Sequence, residues 1–319
     1  MVSTEIMKIA PASIGILTGP TATGKSSIAL DWARKYQDIE IINADSLLVY
    51  RQFNIGTAKP TAEELQEVPH HLIDIRDPNQ VFTAGEFVRA AEAAISGCLD
   101  RGKKPLIVGG TGFYLQALLF GIWDAPAADP ETRRRLEGLD LPTLYAQLNE
   151  IDPISALRIG KSDQYRLIRA LELIHLSGQT PTQLQSQTRK DPDPRFHLWI
   201  LDREQGDLNQ RIKKRTEIML QSAWIEEVET LLSRFPECRP LQSVGYAQVV
   251  QYLKGVKPQG RKMREGIRGL QDEIELATRQ LVKKQRTWFK NQSKKVSQSQ
   301  WFQLEKDQDL LVETFRSKT

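Results

Sequence analysis

The chain has 319 residues, of which 40% are hydrophobic and 26% charged, with a net charge of +4 at pH 7. These values indicate a soluble globular protein with one large core and a second lobe, or two modest domains. Neither a long apolar span nor a signal sequence is evident, which argues against membrane insertion and secretion, and two cysteines in no metal-binding spacing exclude a zinc finger and favour a reducing cytoplasm.

The first predicted strand, "SIGIL" (13–17), leads into a glycine-rich loop and then a helical pattern. The loop "GPTATGKS" (19–26) fits the phosphate-binding motif G-x-x-x-x-G-K-[ST]. Backbone N–H groups of such a loop, together with the helix N-terminus, cradle phosphate oxygens. We therefore expect Lys25 to contact a terminal phosphate and Ser26 to coordinate Mg²⁺. The predicted phosphate site comprises Gly19, Pro20, Thr21, Ala22, Thr23, Gly24, Lys25 and Ser26.

Further strands are predicted at 39–42, 71–75, 105–110 and 197–202, with helical patterns such as 25–36 and 83–100 between them. This alternation predicts an α/β fold with a parallel sheet like that of P-loop NTPases and helices on both faces. Since the carboxyl ends of parallel strands meet at one edge, Asp45, which follows the second strand, should face the phosphates. Its carboxylate is a candidate magnesium ligand or proton acceptor.

The alternation of strands and helices stops after Trp123. Residues 124–194 show helical spacing of apolar residues without a strand, and Pro/Asp-rich segments bracket them. We therefore predict an all-helical insertion domain within a discontinuous core of 12–123 and 195–290. The Ser/Gln/Lys-rich tail, 291–319, is predicted to be poorly ordered.

A long helix is predicted near the end of the core, with one buried stripe. The stripe is formed by Ile267, Leu270, Ile274, Ala277, Leu281 and Trp288. Basic residues recur beside it at Arg279, Lys283, Arg286 and Lys290. Residues 254–295 hold 13 Lys or Arg against 4 Asp or Glu; taken alone, such a run favours a solvated helix face, and it indicates a polyanion partner only if other features do so as well.

Seven blocks of sequence, in order from 19 to 289, resemble the tRNA dimethylallyltransferases (tRNA isopentenyltransferases). They are "GPTATGKS", "NADSLLVYRQFNIGTAKP", "PHHLIDIRDP", "VGGTGFYLQALL", "SDQYRLIRALE", "SVGYAQ" and "TRQLVKKQRTWF". The resemblance implies transfer of a dimethylallyl group from dimethylallyl diphosphate to N6 of the adenosine 3′ of the anticodon, in tRNAs that read codons beginning with U. The loop would then hold the donor's diphosphate, and a monomer acting on the tRNA anticodon loop is expected.

The same resemblance suggests roles for individual residues. Lys25, Asp45 and Thr111 would be catalytic, with Asp45 as the base, and Arg211 would lie near the diphosphate. Two segments would contact tRNA together with Thr111: "DSLL" (Asp45, Ser46, Leu47, Leu48) and "YRLIR" (Tyr165, Arg166, Leu167, Ile168, Arg169).

The chain departs from the family pattern at three positions. Tyr165 stands where Gln is common, and Gln242 and Ala247 stand where many relatives carry Arg. Neighbouring Gly245 and Tyr246 do fit the pattern. The paired histidines, His70 and His71, are interpreted as structural.

Three alternative functions share parts of this pattern. An isopentenyltransferase of free adenine nucleotides would use the same loop, base and threonine, but it needs neither the insertion nor the arginines at 166 and 169. A small-molecule kinase would bind ATP in the loop, with the arginines of 133–169 in a lid. A P-loop RNA-binding or scaffold protein would leave Asp45 and Thr111 without a role.

Overall fold

The computed structural model describes residues 13–122, 126, 128–187, 191–256 and 264–318. The chain divides into two compact units. The first extends to Leu119 and resumes at Pro192, and the second comprises Phe120–Asp191. Within the described ranges, no helix is both long and apolar enough to cross a membrane.

The first unit is built on a six-stranded parallel sheet of order β3-β2-β4-β1-β5-β6, which confirms the predicted α/β class. All residues of β1 and β2 are buried, as expected for central parallel strands covered on both faces. The strands are β1 (Ile14–Thr18), β2 (Ile39–Asn43), β3 (His70–His71), β4 (Lys104–Val108), β5 (Phe196–Asp202) and β6 (Ser299–Gln303).

Nine α-helices and a short 3₁₀ turn (Arg239–Gln242) accompany the described strands of this unit. Trp32 of the first helix stacks on Phe315 of the last, with ring centroids 4.3 Å apart, and Trp199 of β5 completes the cluster. The helices are α1 (Lys25–Tyr36), α2 (Ala62–Glu67), α3 (Ala84–Asp100), α4 (Gly112–Phe120), α10 (Gln205–Gln221), α11 (Trp224–Arg234), α12 (Tyr246–Leu253), α13 (Gly266–Ser293) and α14 (Gln308–Lys318).

The prediction of a poorly ordered tail at 291–319 is wrong for 291–318, the part of the tail that the structure describes. Residues of β6 pair in parallel with β5, with Ser299 opposite Leu198, and α14 packs on the same side of the sheet as α1. Successive side chains of a strand point to opposite faces, so Phe302 of β6 is buried in the cluster with Phe315 while Trp301 stays 37% exposed. A strand that is half exposed carries the polar composition that suggested disorder.

Two further predictions need correction. The strand expected at 71–75 is only His70–His71, because Leu72 and Asp74 adopt positive φ angles that no strand accommodates. The stripe on α13 is correct at Leu270 and Ile274, but Ile267 is 54% exposed. Further along the helix, the buried positions are Val282 and Phe289 in place of Leu281 and Trp288.

The described residues of the second unit form five helices and the loops between them, without a strand. Asp-Pro pairs in the sequence start two of its helices: Asp129 and Asp152 each cap a helix whose first residue is proline, and each accepts a backbone N–H three residues on. Its core is a leucine-rich cluster that includes Leu144, Leu148 and Leu167. The helices are α5 (Pro130–Glu137), α6 (Leu141–Ile151), α7 (Pro153–Ile159), α8 (Gln164–Ser177) and α9 (Pro181–Ser186).

Candidate active site at the carboxyl end of the sheet

The phosphate-binding loop connects β1 to the N-terminus of α1. Gly19 has a φ of +139°, and a Cβ there would lie 2.1 Å from the carbonyl oxygen of Leu201, so only glycine fits. Gly24 caps α1 in the left-handed conformation, with φ +99°. The unpaired N–H groups of the first helical turn are thereby placed at the end of the loop, as an anion site requires.

Lys25 folds back over this loop. Its Nζ donates to the carbonyl oxygens of Gly19 (2.9 Å) and Pro20 (2.7 Å). Burial lowers the pKa of Lys25 to about 8, an effect that the negative charge of Asp45 opposes and the positive charge of Arg215 reinforces. Lys25, Asp45 and Arg215 therefore lie close enough for their charges to interact.

Three arginines contact the loop from β5 and α10. Arg211, predicted near the diphosphate, donates from Nε to the carbonyl oxygen of Ala22 (2.9 Å). Sequence reasoning missed Arg215, which donates from Nη1 to Oγ1 of Thr21 (3.2 Å), and Arg203, which donates from Nε to the carbonyl oxygen of Thr23 (2.8 Å). The four-residue spacing of Arg211 and Arg215, which places both on one helix face, was the available signal.

Asp45 and Thr111 come from the ends of the neighbouring strands β2 and β4. Asp45 Oδ1 accepts from the backbone N–H of Leu47 (2.8 Å), and Asn43 holds the Asp45 backbone at both its N–H and its carbonyl. Oγ1 of Thr111 accepts from the backbone N–H of Ser46 (2.9 Å) and donates to its hydroxyl (3.3 Å). The structure thus joins the predicted base and the predicted threonine through Ser46.

Helix α13 brings two residues of the last sequence block, to which no role at the site was given, to the same edge. Gln285 contacts both Thr21 and Gly110, and Arg286 forms an ion pair with Asp202 at the end of β5 (2.8 Å). The predicted basic stripe on this helix is therefore divided, because Arg286 turns inward while Lys283 and Lys290 remain exposed. Lys257, Arg261 and Lys262 of the basic segment lie outside the described residues.

The predicted tRNA-contacting segment of α8 has both exposed and buried members. Tyr165 is 51% exposed and the Arg166 side chain 69% exposed. Leu167 and Ile168 belong to the core of the second unit, and their contact with tRNA stays a prediction. Arg169 forms an ion pair with Glu172 (2.6 Å), whose carboxylate is fully buried.

The glycine–tyrosine motif after α11 has a structural role in the described fold. Tyr246 is fully buried and donates its hydroxyl to Glu227 (2.6 Å). The same carboxylate accepts the backbone N–H groups of Asn54 and Ile55, in the segment that follows Asp45. Glu227 therefore fixes that segment from α11.

A second titratable cluster lies at the amino half of β2. Donor atoms of Glu40, His71 and Cys98 lie within 4.8 Å of one another, an arrangement that metal sites share. Arg101, however, hydrogen-bonds both Glu40 oxygens and lowers the pKa of that carboxyl to about 2, with His71 and Cys98 as further donors. Hydrogen bonding accounts for the cluster and agrees with a structural role for His71.

Comparison with known proteins agrees with this geometry. The family model described as IPP transferase matches residues 48–292. A tRNA dimethylallyltransferase 1 from Trichlorobacter lovleyi is 43% identical over 284 residues, covering 87% of this chain and 90% of the relative. A tRNA dimethylallyltransferase from Synechococcus elongatus is 39% identical over 308 residues, covering 94% and 95%.

A solved structure of a related enzyme has a similar fold. The crystal structure of full-length tRNA isopentenylpyrophosphate transferase from Bacillus halodurans matches with a TM-score of 0.65 and 32% identity, covering 97% of this chain and 96% of that one. The resemblance inferred from the seven sequence blocks is thereby confirmed. The chain belongs to the IPP transferase family, together with these tRNA dimethylallyltransferases.

Proposed function

We propose that this chain transfers a dimethylallyl group from dimethylallyl diphosphate to N6 of the adenosine 3′ of the anticodon, in tRNAs that read codons beginning with U. One observation carries the proposal: a phosphate-binding loop with Lys25 and Arg215 shares an edge of the sheet with Asp45 and Thr111. Relatives named for tRNA favour this reaction over transfer to a free nucleotide.

The phosphate-binding loop is suited to the leaving group. As the bond between the allylic carbon and the diphosphate oxygen breaks, its electron pair leaves with the diphosphate, whose charge must be neutralised. Lys25 and Arg215 carry positive charge beside the loop, and Arg211 touches it from α10. Preorganised cations and N–H groups of this kind stabilise developing charge without having to reorganise.

Asp45 is suited to the acceptor side of the reaction. The exocyclic amine of adenine is a weak nucleophile because its lone pair is delocalised, so it needs a base while the new C–N bond forms. The Asp45 carboxylate takes that proton in our proposal. Thr111 supports it by holding the backbone N–H and the hydroxyl of Ser46, the next residue.

Mg²⁺ is part of the proposal, and the residues present suit it. Ser26 is exposed in the first turn of α1, so its hydroxyl is available to an ion beside the phosphate-binding loop. Hydroxyl and carboxylate oxygens are ligands that Mg²⁺ prefers, and the ion keeps several waters or phosphate oxygens besides. A bound ion would add positive charge beside the diphosphate.

The acceptor adenosine must leave the stacked anticodon loop to reach Asp45. Ser46, Leu47 and Leu48 continue the chain from the base, and they are the proposed contacts of the flipped nucleotide. Exposed Tyr165 and Arg166 on the second unit offer a stacking surface and a positive charge to the flanking loop. We further propose a cytoplasmic monomer, and the free cysteines, Cys98 and Cys238, support a reducing compartment.

The test is an assay with labelled dimethylallyl diphosphate, Mg²⁺ and three acceptors in parallel: unmodified tRNA, its anticodon stem-loop and AMP. We expect the label in N6-(dimethylallyl)adenosine from the two RNAs and little in AMP. Equal labelling of AMP would support the free-nucleotide enzyme instead. A matched stem-loop with guanosine at the target position controls for attachment elsewhere.

A further inference from the structure

The side chain of Gln285 on α13 links the two loops that would carry donor and acceptor. Its Oε1 accepts from the backbone N–H of Thr21 in the phosphate-binding loop (2.9 Å). Its Nε2 donates to the carbonyl oxygen of Gly110, directly before Thr111 (3.1 Å). These loops follow β1 and β4, which are neighbours in the sheet, so one amide spans both.

Two residues that follow Gln285 also hold α13 in place. Arg286 pairs with Asp202 (2.8 Å) and donates to the carbonyl oxygen of Arg203 (2.6 Å), both at the end of β5. The Trp288 ring packs so closely on Gly112 that a Cβ there would lie 2.6 Å from the indole. Helix α13 therefore contacts the segments that follow β4, β1 and β5. Gln285 makes the contacts to the loops after β1 and β4.

The loop that follows β4 also lies close to the charged group of Lys25. A Cβ on Gly110 would lie 3.0 Å from Nε2 of Gln285 and 3.9 Å from Nζ of Lys25. Any change in the distance between these loops thus changes the distance between the diphosphate held by Lys25 and the base end of β2, whose Ser46 is bound to Thr111.

We infer that Gln285 is a positioning residue that sets the distance between the phosphate-binding loop and the acceptor turn, an inference that rests on the proposed function. The amine and the allylic carbon must approach to about 3–3.5 Å, and a misplacement of about 1 Å costs about 10²-fold in rate. A loosened site also admits water. Water oxygen then bonds to the allylic carbon as the diphosphate leaves and a proton is lost, which gives dimethylallyl alcohol and diphosphate.

This inference predicts uncoupling as well as a slower reaction. Q285A removes both hydrogen bonds, and Q285E keeps the size and the acceptor for Thr21 but sets a carboxylate oxygen against the Gly110 carbonyl. The matched control is T287A on the same helix, because Thr287 is exposed and its hydroxyl bonds only within the helix, to Lys283. Diphosphate release and tRNA modification are measured in the same Mg²⁺-containing reaction.

We expect Q285A to lower transfer about 10- to 100-fold and to raise the ratio of diphosphate released to adenosine modified above the wild-type ratio. The affinity for tRNA and the unfolding temperature should match those of T287A. A Q285A protein with wild-type rate and ratio, or with both products lowered in proportion, would overturn the inference. If Q285A fails to fold, the ratio measured for Q285E decides in the same way. Failure of the wild-type protein to modify tRNA would instead refute the proposed function.

Discussion

At the scale of single residues, Asp45 is expected to receive the proton from the acceptor amine. Asn at this position keeps an oxygen for the N–H of Leu47 but accepts no proton. We expect D45N to slow transfer by about 10²- to 10⁴-fold while the affinities for tRNA and donor stay near wild type. Single-turnover kinetics check this, with D77N, an exposed surface carboxylate, as the matched control. Near-normal turnover of D45N would assign the base to another group.

Because Lys25 contacts the donor's diphosphate in our proposal, its charge should make the reaction with dimethylallyl diphosphate depend on pH. Its pKa of about 8 in the free protein means that the ammonium loses its charge within the assay range. We expect kcat/KM for dimethylallyl diphosphate to fall as the pH rises through about 8, because this parameter reports the free enzyme. Measurement of kcat/KM over about three pH units centred on 8 checks this. The fall should be absent in K25A. An identical fall in K25A would mean that another group titrates.

The same group affects stability in the opposite direction. The pKa of Lys25 falls from 10.5 to about 8 on folding, so the unfolded chain binds more protons between those values. Its contribution to the free energy of unfolding therefore becomes more favourable as the pH rises through that window. A loss of activity above pH 8 consequently does not reflect unfolding at this site.

Motif reading located only part of the site, and the sequence separations explain which part. Lys25, Asp45 and Thr111 stand in recognisable blocks, and so does Gln285, but a block does not show which residue a side chain contacts. Thr21 meets Arg215 across 194 residues and Gln285 across 264. Spacing along α10 and α13 indicates which residues share a face, but only packing decides which face turns to the loop.

At the scale of elements, α14 should stabilise the sheet, although its composition predicted a poorly ordered tail. Phe315 is buried, stacks on Trp32 (4.3 Å) and meets Trp199 edge to face (5.8 Å). We expect F315A to lower the free energy of unfolding by about 3–5 kcal/mol, since it removes a buried aromatic ring. Urea unfolding measures the change, with exposed E313A as control. A loss no larger than that of E313A would mean that α14 adds little to the sheet.

The fold class followed from the alternation of strands and helices because burial on both faces leaves near-continuous apolar runs, as in β1 and β2. This sequence signal is weaker for the strands at the edges of the sheet. β3 has two residues and β6 alternates buried Phe302 with exposed Trp301, so neither produces a long apolar run. The two edge strands are thus the ones that sequence reasoning made too long, at 71–75, or missed, at Ser299–Gln303.

At the scale of the whole molecule, the proposal separates RNA binding from donor binding. Arg166 is 69% exposed, and its pairing with Asp163 (3.3 Å) is a surface contact that contributes little to stability. We expect R166E to weaken binding of an anticodon stem-loop and to reduce the slope of log affinity against log salt by about 0.7–0.9 per lost phosphate contact. Filter binding across a salt series measures both, and the KM for donor should not change.

Arg169 is the informative comparison for that experiment. It neutralises buried Glu172 together with Arg133, so R169A should destabilise the second unit, by about 1–3 kcal/mol. Its RNA affinity should recover at lower temperature, where the folded fraction is restored, whereas that of R166E should not. A salt slope of R166E equal to that of wild type would remove Arg166 from the RNA surface.

The first unit holds its two chain ends together where the second unit is inserted. The backbone N–H of Asp193 donates to the carbonyl oxygen of Leu119 (2.8 Å), and Arg195 ties Asp193 to Glu92 of α3. The chain thus leaves and re-enters the first unit at two adjacent points, the end of α4 and the segment before β5, so the length and sequence of the inserted unit can vary. In evolution, such a junction allows the helical unit to be exchanged by a single insertion or deletion, while the sheet and its phosphate-binding loop are inherited unchanged.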